Sequence, residues 1–126
     1  MKYILLVQPG DFGDSLCSSG YVTAIASYYA DAQVFILCCE VTKPFHSLLK
    51  GIAGVMTLSL IAGEKQELIK SLMELTSLNG FDRIINLEIN RFNEHDDLVN
   101  EIPGKEKIGT NLFAGARDAF EKEYYD

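Results

Sequence analysis

Short apolar runs alternate along this chain with longer stretches of helical periodicity. Four runs have the length and apolar content of buried β-strands, and they lie at residues 3–7, 33–39, 55–60 and 83–88. Three segments of helical spacing lie between them, at residues 15–30, 44–50 and 64–78. This alternation is typical of an α/β domain with a parallel sheet. Right-handed crossovers then predict a Rossmann-like sheet in the order 3-2-1-4, with strand 1 central and helices on both faces.

The segment after residue 88 is more polar, and its periodicity is weaker. We expect one helical turn at residues 96–102 and a short strand at residues 107–109. A C-terminal helix would then carry Phe113, Ala116 and Phe120 on one side. The pattern contains no internal repeat and no linker, so the whole chain is expected to form one domain.

Composition and charge narrow the classes of function. At 126 residues the chain has room for one compact domain. Eleven Lys plus Arg against eighteen Asp plus Glu give a net charge of -7, which argues against nucleic acid as a partner because such binding needs clustered cations. The three cysteines form no C-x-x-C pair and no metal-ligand spacing, so we expect no metal and a reduced, cytoplasmic setting. No apolar stretch reaches the roughly 18 residues of a membrane-spanning helix.

The turn after the first strand, "QPGDFGDS" at residues 8–15, combines two glycines with two aspartates. In an open α/β sheet, ligands bind beyond the carboxyl ends of the strands, where this turn is expected to lie. Its glycine spacing is G-x-x-G and not G-x-G-x-x-G, and Asp11 and Asp14 would repel a diphosphate. The turn is therefore not a dinucleotide-binding fingerprint.

Two interpretations of Asp14 follow from its position before an apolar helix. The aspartate is a candidate N-cap, which would accept hydrogen bonds from the free N–H groups of the first helical turn. Alternatively, its carboxylate lies in the cleft and takes a proton from a substrate hydroxyl. The two roles are compatible if one oxygen caps the helix and the other faces the cleft.

The stretch "ILLVQPGDFGDSLCSSGYVTAIASYYADAQVFILC" resembles the opening of glycosyltransferase family 9, the heptosyltransferase-type enzymes of lipopolysaccharide assembly. In that family a P-G-x-x-G-D turn follows the first strand, and a "Y-P-D-A" phrase precedes the second. The later phrases "FDRIINLEIN" and "KEKIG" resemble the same domain, so the resemblance extends over most of the chain. The sequence departs from the family at Gln8, where a basic residue is common, at Gly20 and Ala30, where proline is usual, and at Asn86, where an aspartate is frequent.

The resemblance implies a GT-B enzyme, in which an N-terminal Rossmann-like domain holds the acceptor and a C-terminal domain holds the nucleotide-sugar. Such enzymes invert the anomeric carbon and use no metal and no cofactor besides the nucleotide-sugar co-substrate. By motif position, the family's catalytic base falls on Asp14. We expect the substrate-binding residues to lie in the same turn and after strand 4, at Gly10, Asp11, Gly13, Ser15, Asn90 and Arg91.

On this interpretation residues 1–126 form the acceptor-binding domain, the donor-binding domain is absent from the chain, and the chain alone transfers no sugar. The partner would be a glycan acceptor. An apolar surface is expected to favour a homodimer, with Phe113, Phe120, Tyr124 and Tyr125 as contact residues. The competing hypothesis is a non-catalytic Rossmann-like binding or interaction module.

The two histidines are assigned structural positions. His46 lies in the short second helix beside Phe45 and is predicted to be a packed or half-exposed helix residue, not a catalytic one. His95 stands among acids in "NEHDD", and adjacent residues on a helix point in different directions, so a solvated loop or helix start is favoured over a metal site.

Overall fold

Five parallel strands form the centre of the domain. The computed structural model describes residues 2–88 and 93–109, apart from the side chain of Ala62. Its strands are β1 (Lys2–Gln8), β2 (Ala32–Cys38), β3 (Gly54–Thr57), β4 (Phe81–Asn86) and β5 (Gly104–Gly109), in the sheet order β3-β2-β1-β4-β5. All four strand pairings are parallel. The predicted order is confirmed, with β5 added beside β4.

Four helices and one 3-10 turn connect the strands. They are α1 (Phe12–Tyr28), the 3-10 turn Glu40–Thr42, α2 (Lys43–His46), α3 (Ala62–Leu75) and α4 (Asn93–Glu101). Among the described helices, none has the length and apolarity required to cross a membrane. The predicted C-terminal helix and the residues Asn90 and Arg91 lie outside the described residues.

The apolar composition of β1 fits its central position in the sheet. A central strand is covered at both edges and on both faces, so its side chains are buried. Ile4, Leu5, Leu6 and Val7 are each at most 1% exposed. Successive side chains of a strand point to opposite faces, so this run of four supplies two cores. Burial of such side chains contributes about 1.5–3 kcal/mol each to folding.

Each face of the sheet packs against different helices. On one face, Leu5 and Val7 belong to a core that includes Leu72 of α3 and Leu98 of α4. On the other face, Ile4 and Leu6 belong to a core that includes Val22 of α1. The α/β class with helices on both faces is therefore confirmed.

The first helix begins at Phe12, three residues earlier than predicted, because Asp11 ends the turn. Asp11 has extended backbone angles, φ -72 and ψ -172, and its side chain accepts a hydrogen bond from the Asp14 N–H. Its carbonyl also accepts the N–H of Ser15, at 3.0 Å. The first turn of α1 is thus formed by the "DFGD" stretch itself, which lies at the carboxyl edge of the sheet.

The third helix ends at Leu75, three residues before the predicted end, because two residues of the following turn have positive φ. These are Ser77 and Leu78, at φ 52 and 66. Buried Thr76 stabilises the turn: its Oγ1 donates to the Met73 carbonyl at 2.9 Å and accepts the Gly80 N–H at 2.8 Å. This turn leads into β4 at the amino-terminal edge of the sheet, opposite the candidate site.

Candidate functional site

Buried polar side chains lie at the carboxyl ends of β1 and β4, where the strand order reverses. Gln8 ends β1, Asn86 ends β4, and Glu88 follows two residues later; all three are buried. After β1 the chain continues to β2 on one side of it, whereas β4 lies on its other side. In open α/β sheets, a crevice forms at the carboxyl ends of two neighbouring strands whose connections run in opposite directions. The predicted position of the "QPGDFGDS" turn at this edge is therefore confirmed.

The two aspartates of the turn have different positions. Asp11 is the N-cap of α1, since its Oδ1 accepts the Asp14 N–H at 3.0 Å. Asp14 lies in the first turn of the helix and is exposed. The interpretation of Asp14 as the N-cap is wrong, because Asp11 occupies that position. The carboxylate of Asp14 is thus not used for capping, and it is favourably placed near the positive end of the helix dipole.

Gly10 lies against the side chain of Asp14. A Cβ atom on Gly10 would stand 2.6 Å from both Cβ and Oδ2 of Asp14, and 2.9 Å from Oε1 of Gln8. Real Cβ atoms do not approach other atoms so closely, so only glycine fits here. The Asp14 side chain therefore occupies the space in which a side chain at position 10 would lie.

A buried hydrogen-bond network lies beneath this turn. The Gln8 Oε1 accepts the Gly10 N–H at 3.0 Å, and its Nε2 donates to Ser18 Oγ at 2.9 Å. Ser18 Oγ in turn donates to the Ser15 carbonyl at 3.2 Å. Cys39, after β2, donates its thiol to the Gly10 carbonyl at 3.5 Å. The network joins the end of β1, the turn and the first two turns of α1.

Of the predicted binding residues in this turn, Asp11 and Gly13 are exposed, Gly10 is half-buried and Ser15 is buried. Ser15 Oγ lies 3.1 Å from Nε2 of His46. Their role in binding a substrate stays a prediction. Sequence reasoning did not include Gln8 in the site, although a polar side chain that ends an apolar strand was the available signal.

The second wall of the crevice contains a carboxylate–histidine pair. Glu88 Oε2 lies 2.9 Å from Nδ1 of His95, and the Glu88 N–H donates to Asn86 Oδ1 at 3.0 Å. The hydrogen bond to Glu88 raises the pKa of His95. His95 lies in the first turn of α4, which begins at Asn93, so the predicted helix start is confirmed, and its partly exposed imidazole contacts Glu88.

His46 is fully buried, so the structure shows the packed one of the two predicted positions. Within the described part of the chain, its Nδ1 has no hydrogen-bond partner. Burial lowers the pKa of His46, because the charged imidazolium is poorly solvated in the core. In residues 2–88 and 93–109, no group of three or more His, Cys, Asp or Glu side chains is placed to hold a metal ion.

The two histidines are expected to make the stability of the chain depend on pH in opposite directions. His46 has a lowered pKa when folded, so stability falls as the pH drops below about 6.5, where the unfolded chain takes up the proton first. His95 has a raised pKa, so its contribution is present below about pH 6.5 and is lost as the pH rises through the folded pKa. Each histidine changes the unfolding free energy by at most about 1.4 kcal/mol per pH unit.

Urea unfolding between pH 5.5 and 8 tests this expectation with two matched variants. His46→Gln should lose less stability than the parent chain between pH 6.5 and 5.5. His95→Gln should lack the stability that the parent chain gains as the pH falls towards 6.5. Parallel curves for all three proteins would contradict both assignments.

A cavity of about 570 Å³ opens at the opposite, amino-terminal edge of the sheet, away from the Asp14 turn. Two of its cations are already paired: Arg83 with Glu106 at 3.2 Å, and Lys105 with Asp82 at 3.2 Å. The Arg83 guanidinium also lies over the Tyr29 ring, 5.7 Å from its centroid. Most of the side chains that line this cavity are polar or charged, in contrast to a typical ligand pocket, and we do not assign the site to it.

The geometry defines a Rossmann-like α/β domain with an acidic turn at the carboxyl edge, and comparisons with known proteins relate it to glycosyltransferases. The fold matches that of E. coli heptosyltransferase WaaC with ADP-2-deoxy-2-fluoro heptose, with a TM-score of 0.75 and 16% identity over 98% of this chain and 41% of that chain. It also matches a glycosyl transferase family 9 structure from Veillonella parvula DSM 2008, with a TM-score of 0.71 and 12% identity over 88% of this chain and 36% of that chain.

A third similar structure is E. coli ADP-heptose lps heptosyltransferase II, with a TM-score of 0.59 and 22% identity over 86% of this chain and 30% of that chain. No protein-family model matches the chain, and no curated protein sequence matches it. The resemblance to glycosyltransferase family 9 is therefore confirmed at the level of fold. The chain spans about two fifths of the length of the first of these structures.

Proposed function

We propose that residues 1–126 are the acceptor-binding domain of a heptosyltransferase-like, inverting glycosyltransferase, with Asp14 as the general base. This proposal is based on the different structural roles of the two aspartates in the turn. Asp11 caps α1, which leaves the exposed Asp14 carboxylate available at the carboxyl edge of the sheet. A carboxylate at this position is suited to accept a proton from a bound hydroxyl group.

In the proposed reaction, an acceptor hydroxyl attacks the anomeric carbon of a nucleotide-sugar. The new bond forms between the acceptor oxygen and that carbon, and the bond to the nucleoside diphosphate breaks on the opposite side, which inverts the configuration. Asp14 receives the hydroxyl proton, and the leaving diphosphate carries away the electron pair. Because the proton can depart late, Asp14 need not be a strong base before the donor is bound.

The donor would be bound mainly by a second domain. Asp11 and Asp14 are both exposed at the turn, and their charges disfavour a diphosphate close to α1. The similar E. coli structure named above holds an ADP-sugar analogue and is more than twice as long as this chain. We therefore propose a nucleotide-sugar as the co-substrate, a C-terminal donor-binding domain as the partner, and no sugar transfer by this chain alone.

The remaining parts of the proposal concern the acceptor and the cell compartment. Gly10, Asp11, Gly13 and Ser15, with Asn90 and Arg91, are proposed to contact a glycan acceptor of the lipopolysaccharide type. Cys17, Cys38 and Cys39 are free thiols. Free thiols are consistent with a reducing compartment, and a cytoplasmic location is proposed on that basis.

Calorimetric titration of the 126-residue chain tests whether this domain binds the acceptor and not the nucleotide-sugar donor. Oligosaccharides of the lipopolysaccharide type serve as acceptor probes, and ADP- and UDP-sugars serve as donor probes. We expect an acceptor to bind and the nucleotide-sugars to bind weakly or not at all. Tight binding of a nucleotide-sugar, with no acceptor bound, would contradict the assignment of this domain.

Transfer is then assayed after addition of a donor-binding domain, either fused to the chain or supplied separately. We expect product only when both domains are present. An acceptor that binds this chain but is never glycosylated, whatever donor domain is supplied, would favour the non-catalytic binding module.

A further inference from the structure

The buried side chain of Gln8 connects the end of β1 to the turn that carries Asp14. Gln8 is 1% exposed, so its carboxamide is not available to a ligand. Both ends of that carboxamide are hydrogen-bonded within the protein, to the Gly10 N–H at 3.0 Å and to Ser18 Oγ at 2.9 Å. A buried amide bonded at both ends has one fixed orientation, because either end would lose a bond if the group rotated.

The Gln8 amide is related to Asp14 through Gly10, which lies next to both side chains. The position of a Cβ on Gly10 would lie 2.9 Å from Gln8 Oε1 and 2.6 Å from Asp14 Oδ2, so these two oxygens flank the same point of the turn. The Gln8 amide and the Asp14 carboxylate therefore both lie on the side of Gly10 where a Cβ would project, and together they occupy that space. A movement of Gly10 in this direction would bring its backbone against the Asp14 side chain.

The other end of the carboxamide acts on the helix itself. Ser18 Oγ accepts from Gln8 Nε2 and donates to the carbonyl of Ser15, the residue after Asp14. One side chain thus sets the distance between the turn backbone and the first turn of α1. Asp14 lies between these two points of attachment.

We propose that Gln8 is a positioning residue, which holds the Gly10 turn and thereby directs the Asp14 carboxylate towards the crevice. Gln8 does not touch the acceptor in this assignment, in contrast to the exposed residues of the turn. The effect on sugar transfer rests on the proposed function, whereas the effect on the position of Asp14 does not. Misplacement of a reacting group by about 1 Å can reduce a rate by roughly a hundredfold, so a small movement is sufficient.

Gln8→Met tests the assignment, because methionine has a similar length and provides neither hydrogen bond. Thr76→Val is the matched control. The buried Thr76 side chain also accepts a glycine N–H, that of Gly80, but it lies at the opposite edge of the sheet, and valine removes this acceptor. In the full chain, NMR should show Gly10 amide exchange accelerated by about tenfold or more in Gln8→Met. The carboxyl and amide resonances of Asp14 should shift in Gln8→Met and stay unchanged in Thr76→Val.

Unchanged Asp14 resonances in folded Gln8→Met would overturn the proposal. If that variant does not fold, Ser18→Ala removes only the partner of the Gln8 Nε2, and a smaller shift of the same Asp14 resonances is expected. The absence of any shift in Ser18→Ala would likewise count against the assignment.

In the two-domain assay, Gln8→Met should lower kcat by about tenfold or more and leave the acceptor KM within about twofold. A higher KM with an unchanged kcat would show that Gln8 acts in acceptor binding and would refute the positioning role. If the parent chain transfers no sugar with any donor domain, the proposed function fails. The NMR comparison still decides whether Gln8 positions Asp14.

Discussion

Replacing Asp14 with asparagine is expected to lower kcat for sugar transfer by about two or more orders of magnitude, measured with a donor domain present. Asparagine keeps the shape of the side chain and its contact with Gly10, but it cannot accept the hydroxyl proton. Acceptor affinity should stay nearly unchanged, because the loss concerns the transition state. Initial rates at saturating acceptor, together with calorimetry, separate the two effects.

Stability measurements provide the control for this experiment, since the two aspartates have different structural roles. Asp11→Ala removes the N-cap of α1 and should cost about 0.5–2 kcal/mol of unfolding free energy. Asp14→Ala should cost less, because only its backbone N–H takes part in the cap. Full activity in Asp14→Asn would mean that the base lies elsewhere, whatever the stability of the variant.

Gly10→Ala is expected to destabilise the chain by about 1–3 kcal/mol, the usual cost of inserting a methyl group where no space exists. The new Cβ would stand 2.6 Å from two atoms of Asp14, so either the helix start or the aspartate must move. The same displacement should reduce sugar transfer in the two-domain assay. Urea unfolding and the Asp14 resonances measure the two consequences separately.

Gly20→Ala is the matched control for this substitution. Gly20 lies within α1, and a Cβ there meets no atom within 4 Å. Alanine has the higher helix propensity, so this variant should gain about 0.5–1 kcal/mol. A Gly10→Ala variant that is as stable as the parent chain, with Asp14 unmoved, would show that the turn adapts and would weaken the account of the site.

The sheet was predictable from the sequence because each strand is a short apolar run with a distinct boundary. The run from Ile4 to Val7 is buried on both faces, and a strand of that kind is expected at the centre of a parallel sheet. Right-handed crossovers then leave few possible orders, and the observed one extends the predicted order by β5. The location of the acidic turn at the carboxyl edge followed from strand 1 alone.

The roles of individual side chains in the turn depended on the tertiary structure. In the sequence, Asp11 and Asp14 both stand before the apolar segment that begins at Leu16, and both are good N-cap residues by type. The extended backbone at Asp11, together with the hydrogen bond that its side chain accepts from the Asp14 N–H, identifies Asp11 as the cap. Local propensity could not distinguish two aspartates three positions apart.

Contacts between distant residues determined the rest of the site. His46 and Ser15 are 31 positions apart, and His95 of α4 contacts Glu88, which follows β4. By sequence, Gln8 is a polar residue that ends an apolar strand. In the structure it is buried, α1 supplies Ser18 as the partner of its Nε2, and the turn supplies the Gly10 N–H as the partner of its Oε1. A buried polar group is stable only when its partners are in place, and the packing of helices on the sheet decides where those partners lie.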